Sequence, residues 1–328
     1  MNVLITGVTG FVGSHMADYV LKNSDYMIYA TKRWMEDTKN IDHIIDNNRL
    51  EIIDCDLLDY ASVQRAVEIS KPDKVFHFAA QSFPEISFNL PSITLQTNIL
   101  GTTHLLESIK NSNFDPVIIS VSSSEVYGMP TKDEIPIKED NPIRASNPYS
   151  ISKVGQDLMS QYYYNAYGMK IIVTRMFSHE GARRGKEFAL SSFAYQIVKN
   201  EMELGDNKIR HGNLDSVRTY NHIDDAIEAY WICSNSDNFG EVYNIGGNYT
   251  CKVGDALDML ISKSTISHKL EKSLDSRRLR STDITLQIPN SDKFRKATGW
   301  EPTKNFEDIC DDLLQYWREY FNKNKMGY

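Results

Sequence analysis

Tyr149 and Lys153 stand four residues apart in the run Tyr-Ser-Ile-Ser-Lys, a spacing that places both side chains on one face of a helix. An ammonium group beside a phenol stabilises the phenolate and lowers the phenol pKa from its usual value of about 10. The pair is therefore a candidate for proton transfer, with Tyr149 as the acid–base group and Lys153 as its partner. The alternative is a core tyrosine beside a surface lysine, because this spacing also occurs by chance.

Serine and glutamate side chains form a second polar group at residues 122–128, in the run Ser-Ser-Ser-Glu-Val-Tyr-Gly. The run directly follows an apolar stretch at 117–121 that is typical of a buried strand. Ligands of open α/β sheets bind at the carboxyl ends of the strands, so we expect Ser123, Ser124 and Glu125 to lie close to Tyr149. Glu125 could instead be a structural carboxylate, or one that only orients a ligand.

Three glycines follow the first apolar stretch, in the run Gly7-Val-Thr-Gly-Phe-Val-Gly13 that opens a predicted helix. Glycine allows a tight turn and a close backbone approach to a pyrophosphate, and a helix N-terminus adds unpaired N–H groups. A glycine-rich turn without a ligand is the alternative, but strand, turn and helix in this order favour a dinucleotide. The predicted cofactor contacts here are Gly7, Thr9, Gly10, Phe11, Val12 and Gly13.

The residues after the second predicted strand distinguish NAD from NADP. An acidic side chain there would accept the adenosine ribose hydroxyls, whereas a basic one pairs with a 2′-phosphate. This chain has Thr31-Lys32-Arg33 and no acid, so we expect NADP rather than NAD, with Arg33 as the phosphate ligand. A solvated basic pair is the alternative. The pairs after the third and fourth predicted strands are expected to line the cofactor pocket as well: Asp56-Leu57 and Ala79-Ala80.

The elements that must position these groups alternate along the chain. Short apolar runs at 3–6, 27–30, 50–53, 74–78, 117–121 and 169–175 are separated by helix-length amphipathic stretches. Strands buried on both faces and joined by helices are typical of a doubly wound parallel sheet, so the predicted fold class is α/β. We predict a dinucleotide-binding domain over 1–175 and a smaller α/β lobe, mainly for substrate, over 176–328. Segments at about 212–245 could cross back to the larger domain.

The composition bounds the kinds of partner. The 328-residue chain carries a net charge of −8, which argues against nucleic acid because binding to its backbone relies on lysine and arginine. The four cysteines and eight histidines show no metal-site spacing, so we expect no metal. Cysteines without a disulfide pattern fit a reducing compartment, and the sequence shows neither a secretion signal nor a membrane-length apolar run. The expected location is the cytoplasm, with no membrane partner.

Together, residues 7–13, 122–128 and 149–153 resemble the extended short-chain dehydrogenase/reductase family that acts on nucleotide sugars. More narrowly, the chain is similar to GDP-mannose 4,6-dehydratases at Lys32-Arg33, at Gln-Ser-Phe 81–83, at His-Glu-Gly-Ala-Arg-Arg-Gly 179–185 and at Gly-Asn-Leu-Asp 212–215. The chain departs from that family at Ser178, where asparagine is usual, and after Arg218, where Asp-Trp is usual. Its C-terminal runs at 244–247 and 298–300 equally resemble those of GDP-4-keto-6-deoxymannose reductases and sugar epimerases.

The resemblance implies a Rossmann-type fold and a role for each candidate catalytic residue. Tyr149 would take the proton of the sugar C4 hydroxyl, and Lys153 would lower the tyrosine pKa and anchor the nicotinamide ribose. Ser123 would hydrogen-bond the C4 oxygen, and Glu125 would abstract the C5 proton as the C6 hydroxyl leaves. The implied further contacts are His179 and Arg184 with the cofactor and, with the substrate, Gln81, Ser82, Glu85, Ser124, Ser178, Lys186, Leu214, Arg218, Arg280 and Asp283.

The function predicted in this way is an NADP-dependent nucleotide-sugar 4,6-dehydratase that acts on GDP-mannose or a related GDP-sugar. A GDP-4-keto-6-deoxymannose reductase or a nucleotide-sugar epimerase is the alternative, because both use the same scaffold. A non-catalytic nucleotide-binding regulator is more remote, because such a protein would ordinarily have lost Tyr149 or Lys153. Residues 34–43 resemble a dehydratase loop that reaches a neighbouring subunit's cofactor, so we expect a homodimer or homotetramer.

Overall fold

Seven strands form one sheet in the computed structural model, which describes residues 1–279, 282 and 284–325. They are β1 (Asn2–Thr6), β2 (Met27–Lys32), β3 (Leu50–Asp54), β4 (Lys74–His77), β5 (Val117–Val121), β6 (Ile171–Met176) and β10 (Val242–Ile245). Their order is β10-β6-β5-β4-β1-β2-β3, and all neighbours run parallel. This confirms the predicted α/β class.

Helices cover both faces of this sheet. One face carries α1 (Phe11–Asn23) and α8 (Ile223–Ser234), and the other carries α2 (Tyr60–Ser70), α5 (Gly101–Lys110) and α6 (Pro148–Tyr167). Val3 and Ile5 of β1 pack in the first core and Leu4 in the second, as the alternation of a strand requires. Two short helices, α3 (Pro84–Asn89) and α4 (Pro91–Leu95), lead through a π-helical turn into α5.

A smaller lobe follows in the second half of the chain. Its helices are α7 (Ala189–Glu201), α9 (Val253–Ser262) and α11 (Phe306–Lys325), and its strands are β7 (His179–Glu180), β8 (Lys208–His211), β9 (Val217–His222), β11 (Tyr249–Lys252), β12 (Glu271–Leu274) and β13 (Leu286–Gln287). Strand β9 lies between β11 and β13 and also pairs with β7, while β8 pairs with β12. Apolar side chains of the three helices form a separate core.

The chain passes between the two lobes more than once. After β9 it continues directly into α8 and then β10, so residues 223–245 belong to the large sheet and its helical layer. Helix α10 (Asp292–Thr298) also lies on the larger core, where Phe294 and Trp300 are buried. Within the described ranges, no helix is long and apolar enough to cross a lipid bilayer, and no side-chain cluster could hold a metal ion.

Candidate active site

The glycine turn after β1 has the shape of a cradle for a pyrophosphate. Gly7 has φ +74°, and its N–H and that of Val8 both donate to the Thr31 carbonyl oxygen, at 3.1 and 3.2 Å. A Cβ on Gly13 would lie 2.3 Å from the Gly7 carbonyl oxygen, so a glycine is needed for α1 to start this close to the turn. The N-cap residue of α1 is Gly10, which has no side chain that could accept hydrogen bonds from the start of the helix. The N–H groups of the first helical turn are thus left for an anionic ligand.

A cavity of about 500 Å³ lies at the carboxyl ends of β2 and β3, and its lining includes Arg33 and Arg65. The Arg33 side chain is 70% exposed, and its guanidinium lies 3.3 Å from the carboxylate of Glu36. Lys32 is bound instead to Asp54, at 2.9 Å. The cavity therefore offers two guanidinium groups at the place where the adenosine end of a dinucleotide would lie.

The other predicted cofactor contacts line the same edge of the sheet. Asp56 lies in the wall of the cavity, and Leu57 is buried. The backbone of Ala79 passes so close to the glycine turn that a Cβ on Gly7 would lie 2.8 Å from its Cα atom. Ala80 follows and is half-buried. The turn and the ends of β3 and β4 therefore lie at one edge of the sheet, which is the edge predicted to bind the cofactor.

Ser123, Glu125 and Tyr149 converge at the carboxyl end of β5. Ser123 caps a short 3₁₀ helix (Ser124–Tyr127), and its Oγ accepts the N–H of Glu125 at 3.2 Å. Tyr149 lies in the first turn of α6 and is buried. Burial raises the pKa of its phenol and the negative charge of Glu125 raises it further, while a hydrogen bond with Ser123 and the positive charge of Arg184 oppose the rise. The charge of the Glu125 carboxylate thus acts on the Tyr149 phenol at the carboxyl end of β5.

Lys153 lies one helical turn after Tyr149, but its ammonium group has other partners. The Nζ atom donates to the carbonyl oxygen of Val121 and to Oε1 of Gln156, both at 2.8 Å. Burial lowers the pKa of Lys153 to about 7. The structure therefore corrects the expected direct pairing of ammonium and phenol, because the buried ammonium is satisfied by acceptors on β5 and α6. The cation whose charge acts on the phenol is Arg184.

Arg184 lies between two aromatic rings, and its charge acts on the candidate catalytic residue Tyr149. Its Cζ atom lies 3.5 Å from the ring centroid of Phe188 and 5.0 Å from that of Phe11. Its Nε atom lies 3.5 Å from Oε2 of the buried Glu180. The Phe11 ring also stacks on His179, at 5.7 Å between centroids, and burial lowers the pKa of His179 to about 4. These contacts join the glycine turn to the loop that carries Arg184.

The predicted substrate contacts on the larger domain differ in solvent exposure. The Gln81 side chain is engaged by its own loop: Oε1 accepts the Phe83 N–H at 2.5 Å, and Nε2 donates to the Phe83 carbonyl oxygen and to Thr94 Oγ1, both at 3.1 Å. Gln81 therefore shapes the loop through its amide. Ser82 and Glu85 are exposed on the same segment.

In the smaller lobe, Arg218 is bound to the backbone of its own sheet. Its guanidinium donates to the carbonyl oxygen of Val217 at 2.9 Å and also to that of Ile284. This arrangement braces β9 against the segment that leads into β13. The other predicted contacts in this half of the chain are Ser178, Lys186, Leu214, Arg280 and Asp283. The structure describes the first three, while Arg280 and Asp283 lie outside the described residues.

Comparison with known proteins identifies the family. A family model described as GDP-mannose 4,6 dehydratase matches residues 4–313, a span that includes both lobes. The chain belongs to this family. The match confirms the assignment that residues 7–13, 122–128 and 149–153 indicate in the sequence.

The relatives of this member of the GDP-mannose 4,6-dehydratase family are named for more than one activity. The chain is 26% identical over 315 residues to the GDP-6-deoxy-D-mannose reductase of Pseudomonas aeruginosa, covering 96% of each chain. It is 27% identical over 346 residues to the GDP-mannose 4,6-dehydratase of Yersinia enterocolitica, covering 95% of this chain and 92% of that protein. Both relatives are named for GDP-linked sugars.

Two solved structures with the same fold were determined with nicotinamide dinucleotides. RMD from Pseudomonas aeruginosa, complexed with NADPH, has a TM-score of 0.82 and 25% identity, covering 98% of this chain and 100% of that one. The dTDP-glucose 4,6-dehydratase of Bacillus anthracis, in complex with NAD, has a TM-score of 0.83 and 26% identity, covering 98% of both chains.

Three residues of the site have no counterpart in the sequence-based expectations. Asn147 donates from Nδ2 to Oε2 of Glu125 at 3.0 Å, and its position just before Pro148 is a helix-start signal that could have drawn attention to it. Arg65 of α2 lines the same cavity as Arg33, and no local pattern marks it. The buried Asn98 joins the Gln81 loop to α6 through hydrogen bonds of 2.8 to 3.0 Å.

Proposed function

We propose that this protein is an NADP-dependent nucleotide-sugar 4,6-dehydratase whose substrate is GDP-mannose or a closely related GDP-linked hexose. The observation that carries the proposal is the Glu125 carboxylate beside the Tyr149 phenol, on two separate elements that meet at the cofactor edge of the sheet. Oxidation or reduction at C4 needs one acid–base group. A 4,6-dehydration also needs a base for the proton at C5, and Glu125 fits that second role.

The residues of the site divide the chemistry between them. Tyr149, with its hydroxyl partner Ser123 and the nearby charge of Arg184, would take the proton of the C4 hydroxyl. The ketone formed at C4 acidifies the C5 proton, which Glu125 would remove while the C6–O bond breaks. The proton from O4 and the hydroxyl from C6 together make one water, and C5 regains a proton. When bound, the nicotinamide accepts the hydride from C4 and returns it to C6.

The site residues fit a dinucleotide cofactor. The uncapped N-terminus of α1 and the glycine turn would hold its pyrophosphate, and Lys153 would hold the nicotinamide ribose. NADP is favoured over NAD because Arg33 and Arg65 both line the cavity at the adenosine end, where a 2′-phosphate would need positive charge. The GDP moiety is supported by the relatives, which are named for GDP-sugars at 26–27% identity.

A 4-ketosugar reductase is the second candidate, because the Pseudomonas aeruginosa reductase is similar to this chain over 96% of its length. A reductase consumes one reduced nicotinamide in each turnover, whereas a dehydratase returns the hydride to the same sugar. An epimerase would change neither the mass of the sugar nor the redox state of the pool. A non-catalytic regulator is disfavoured, since Tyr149 and Lys153 are both in place.

The experiment that separates these functions is incubation of the protein with a panel of nucleotide sugars, followed by mass spectrometry and by absorbance of reduced nicotinamide. The proposal expects loss of the mass of one water from a GDP-hexose without net oxidation or reduction of the nicotinamide pool. Loss of water from no sugar, together with oxidation of NADPH by a GDP-4-ketosugar, would establish the reductase instead.

We also propose that the protein is a homo-oligomer that acts in the cytoplasm. The helices α4 and α6 and the π-helical turn between α4 and α5 pack together and expose an apolar patch, here called the α4/α6 patch, whose members are Ile93, Leu100, Ile151, Leu158 and Tyr162. A second subunit would bury such a patch. Trp34 and Met35 are exposed by 77% and 78% in the segment expected to reach a neighbour. The four cysteines are free thiols, which fits a reducing compartment.

A further inference from the structure

Asn147 connects the start of the catalytic helix to the candidate base. It is the N-cap residue of α6, two residues before Tyr149, and it is only 7% exposed. Its Oδ1 atom accepts the N–H of Ser150 at 2.8 Å, and the Ser150 hydroxyl accepts the N–H of Asn147 at 3.0 Å. On its other side, Nδ2 donates to Oε2 of Glu125 at 3.0 Å. One amide therefore serves the helix and the carboxylate at once.

The orientation of this amide follows from its partners. A backbone N–H can only donate, so the atom that faces Ser150 must be the amide oxygen, and the NH₂ group must face Glu125. The amide thus donates to the carboxylate at 3.0 Å from a buried position. It also fixes the direction of the carboxylate, and no other described residue donates a side-chain hydrogen bond to Glu125.

The cations near Glu125 have other partners, so the side-chain donor to its carboxylate is Asn147. Tyr149 faces Glu125 from α6 and Arg184 acts on that phenol from the loop after β7, while Lys153 is bound to Val121 and Gln156. Arg144 follows the 3₁₀ helix Ser124–Tyr127 in the chain. Both of its terminal nitrogens donate to the carboxylate of Glu134, at 2.7 and 2.8 Å. None of these cations forms an ion pair with Glu125 within the described part of the chain.

We propose that Asn147 is a positioning residue that holds Glu125 aimed as the C5 base, an inference that rests on the proposed dehydratase function. Because the same side chain caps α6, the position of the base is tied to the helix that carries Tyr149. The two acid–base groups of the reaction are thereby held in a fixed relation by one amide.

The test compares Asn147→Asp with Asn147→Ser. Asparagine, aspartate and serine cap helices about equally well, so both variants keep the start of α6. Aspartate has no donor and places a like charge beside Glu125. The serine hydroxyl can donate, but it ends short of the position that the amide nitrogen occupies. In D₂O, both variants should slow deuterium exchange at C5 by about 10- to 100-fold, the range for loss of a hydrogen bond to a charged group. Oxidation at C4 should change less in both.

The pH profile separates positioning from folding. In Asn147→Asp the rising limb of the C5 exchange rate should move to higher pH, because the added carboxylate disfavours ionisation of Glu125. The matched control is Asn305→Asp at the start of α11, where Oδ1 of Asn305 accepts the N–H of Asp308 at 3.0 Å. That control should leave the profile unmoved.

Wild-type exchange rates and pH profiles in both Asn147 variants would overturn the role of Asn147 while leaving the dehydratase function intact. A wild-type protein that neither exchanges C5 nor loses water with any GDP-sugar would overturn the function and this inference together. Equal slowing of C4 oxidation and C5 exchange, without a pH shift, would also overturn it, since that result marks general damage to the site.

Discussion

At the scale of single residues, the proposed preference for NADP over NAD rests on Arg33. Its guanidinium is exposed and bound to Glu36, so it can turn to a phosphate at little cost. We expect Arg33→Ala to weaken NADP binding by about tenfold or more, which corresponds to about 1.4 kcal/mol, and to leave NAD binding almost unchanged. Titration with each cofactor measures this difference. Arg277→Ala, which removes an exposed arginine of the smaller lobe, is the control, and equal losses for both cofactors would contradict the assignment.

Residue types and spacing indicate which side chains lie together in the candidate site, but not the contacts that they make. The phenol, the carboxylate and the serine are all placed at the end of β5 or at the start of α6. The spacing of Tyr149 and Lys153 predicts a direct pair, but the Lys153 ammonium donates instead to the carbonyl oxygen of Val121. Val121 lies on a different element, so helical spacing alone does not show this contact. Gln81 illustrates the same difficulty, since its amide forms hydrogen bonds with the backbone of Phe83 in its own loop.

At the scale of elements, the start of α1 depends on the absence of a side chain at Gly13. A Cβ there would lie 2.3 Å from a backbone oxygen, so Gly13→Ala must move the turn or the helix. We expect cofactor binding to weaken by about tenfold or more, equivalent to about 1.4 kcal/mol, as measured by titration.

Gly299→Ala is the control for this substitution. Gly299 has φ +73° and open space around the position of a Cβ, so alanine there introduces backbone strain away from the turn. It should lower stability by about 1 kcal/mol and leave cofactor affinity unchanged. An affinity of Gly13→Ala equal to that of the native protein would show that the turn does not hold the cofactor.

Local periodicity predicted the elements of the large sheet up to β6, because each strand is an apolar run between amphipathic helices. It could not place β10 beside β6, since that pairing joins residues far apart in the chain. It also left β9 and β10 within one segment at 212–245, although β9 belongs to the smaller lobe and β10 to the large sheet. Pairing of short strands depends on tertiary packing, and the sequence pattern alone does not contain it.

At the scale of the whole molecule, the stability should depend on pH through a buried histidine. His77 is enclosed between Thr6 and Thr102, and burial lowers its pKa to about 3. An unfolded histidine has a pKa of about 6.5, so between these values the unfolded state binds the extra proton. The free energy of unfolding should therefore fall as the pH falls from about 6.5 toward about 3.

Urea denaturation at about pH 7.5 and about pH 5 tests this dependence. His77→Gln should reduce the loss of stability between the two pH values by about 2 kcal/mol relative to the native protein. His15 and His179 act in the same direction and remain in both proteins, so the difference isolates His77. The exposed His268 provides the control His268→Gln, which should leave the slope unchanged; an unaltered slope in His77→Gln would refute the assignment.

Assembly is the second property at this scale. Leu158 is 52% exposed within the α4/α6 patch, and Leu204 is 50% exposed outside it. Light scattering should give a dimer or tetramer for the native protein and a smaller species for Leu158→Lys, because a charge opposes burial of the patch. Leu204→Lys should assemble normally. A native monomer at micromolar concentration would contradict the proposed oligomer.

The proposed dehydratase function depends on removal of the C5 proton by Glu125, and deuterium exchange at C5 with Glu125→Gln measures that step. Glutamine keeps the shape of the side chain without the base, so C5 exchange and water loss should fall by about 10²- to 10⁴-fold while oxidation at C4 persists. Glu68→Gln, on the exposed surface of α2, should react as the native protein does. Dehydration by Glu125→Gln at the native rate would show that Glu125 is not the base.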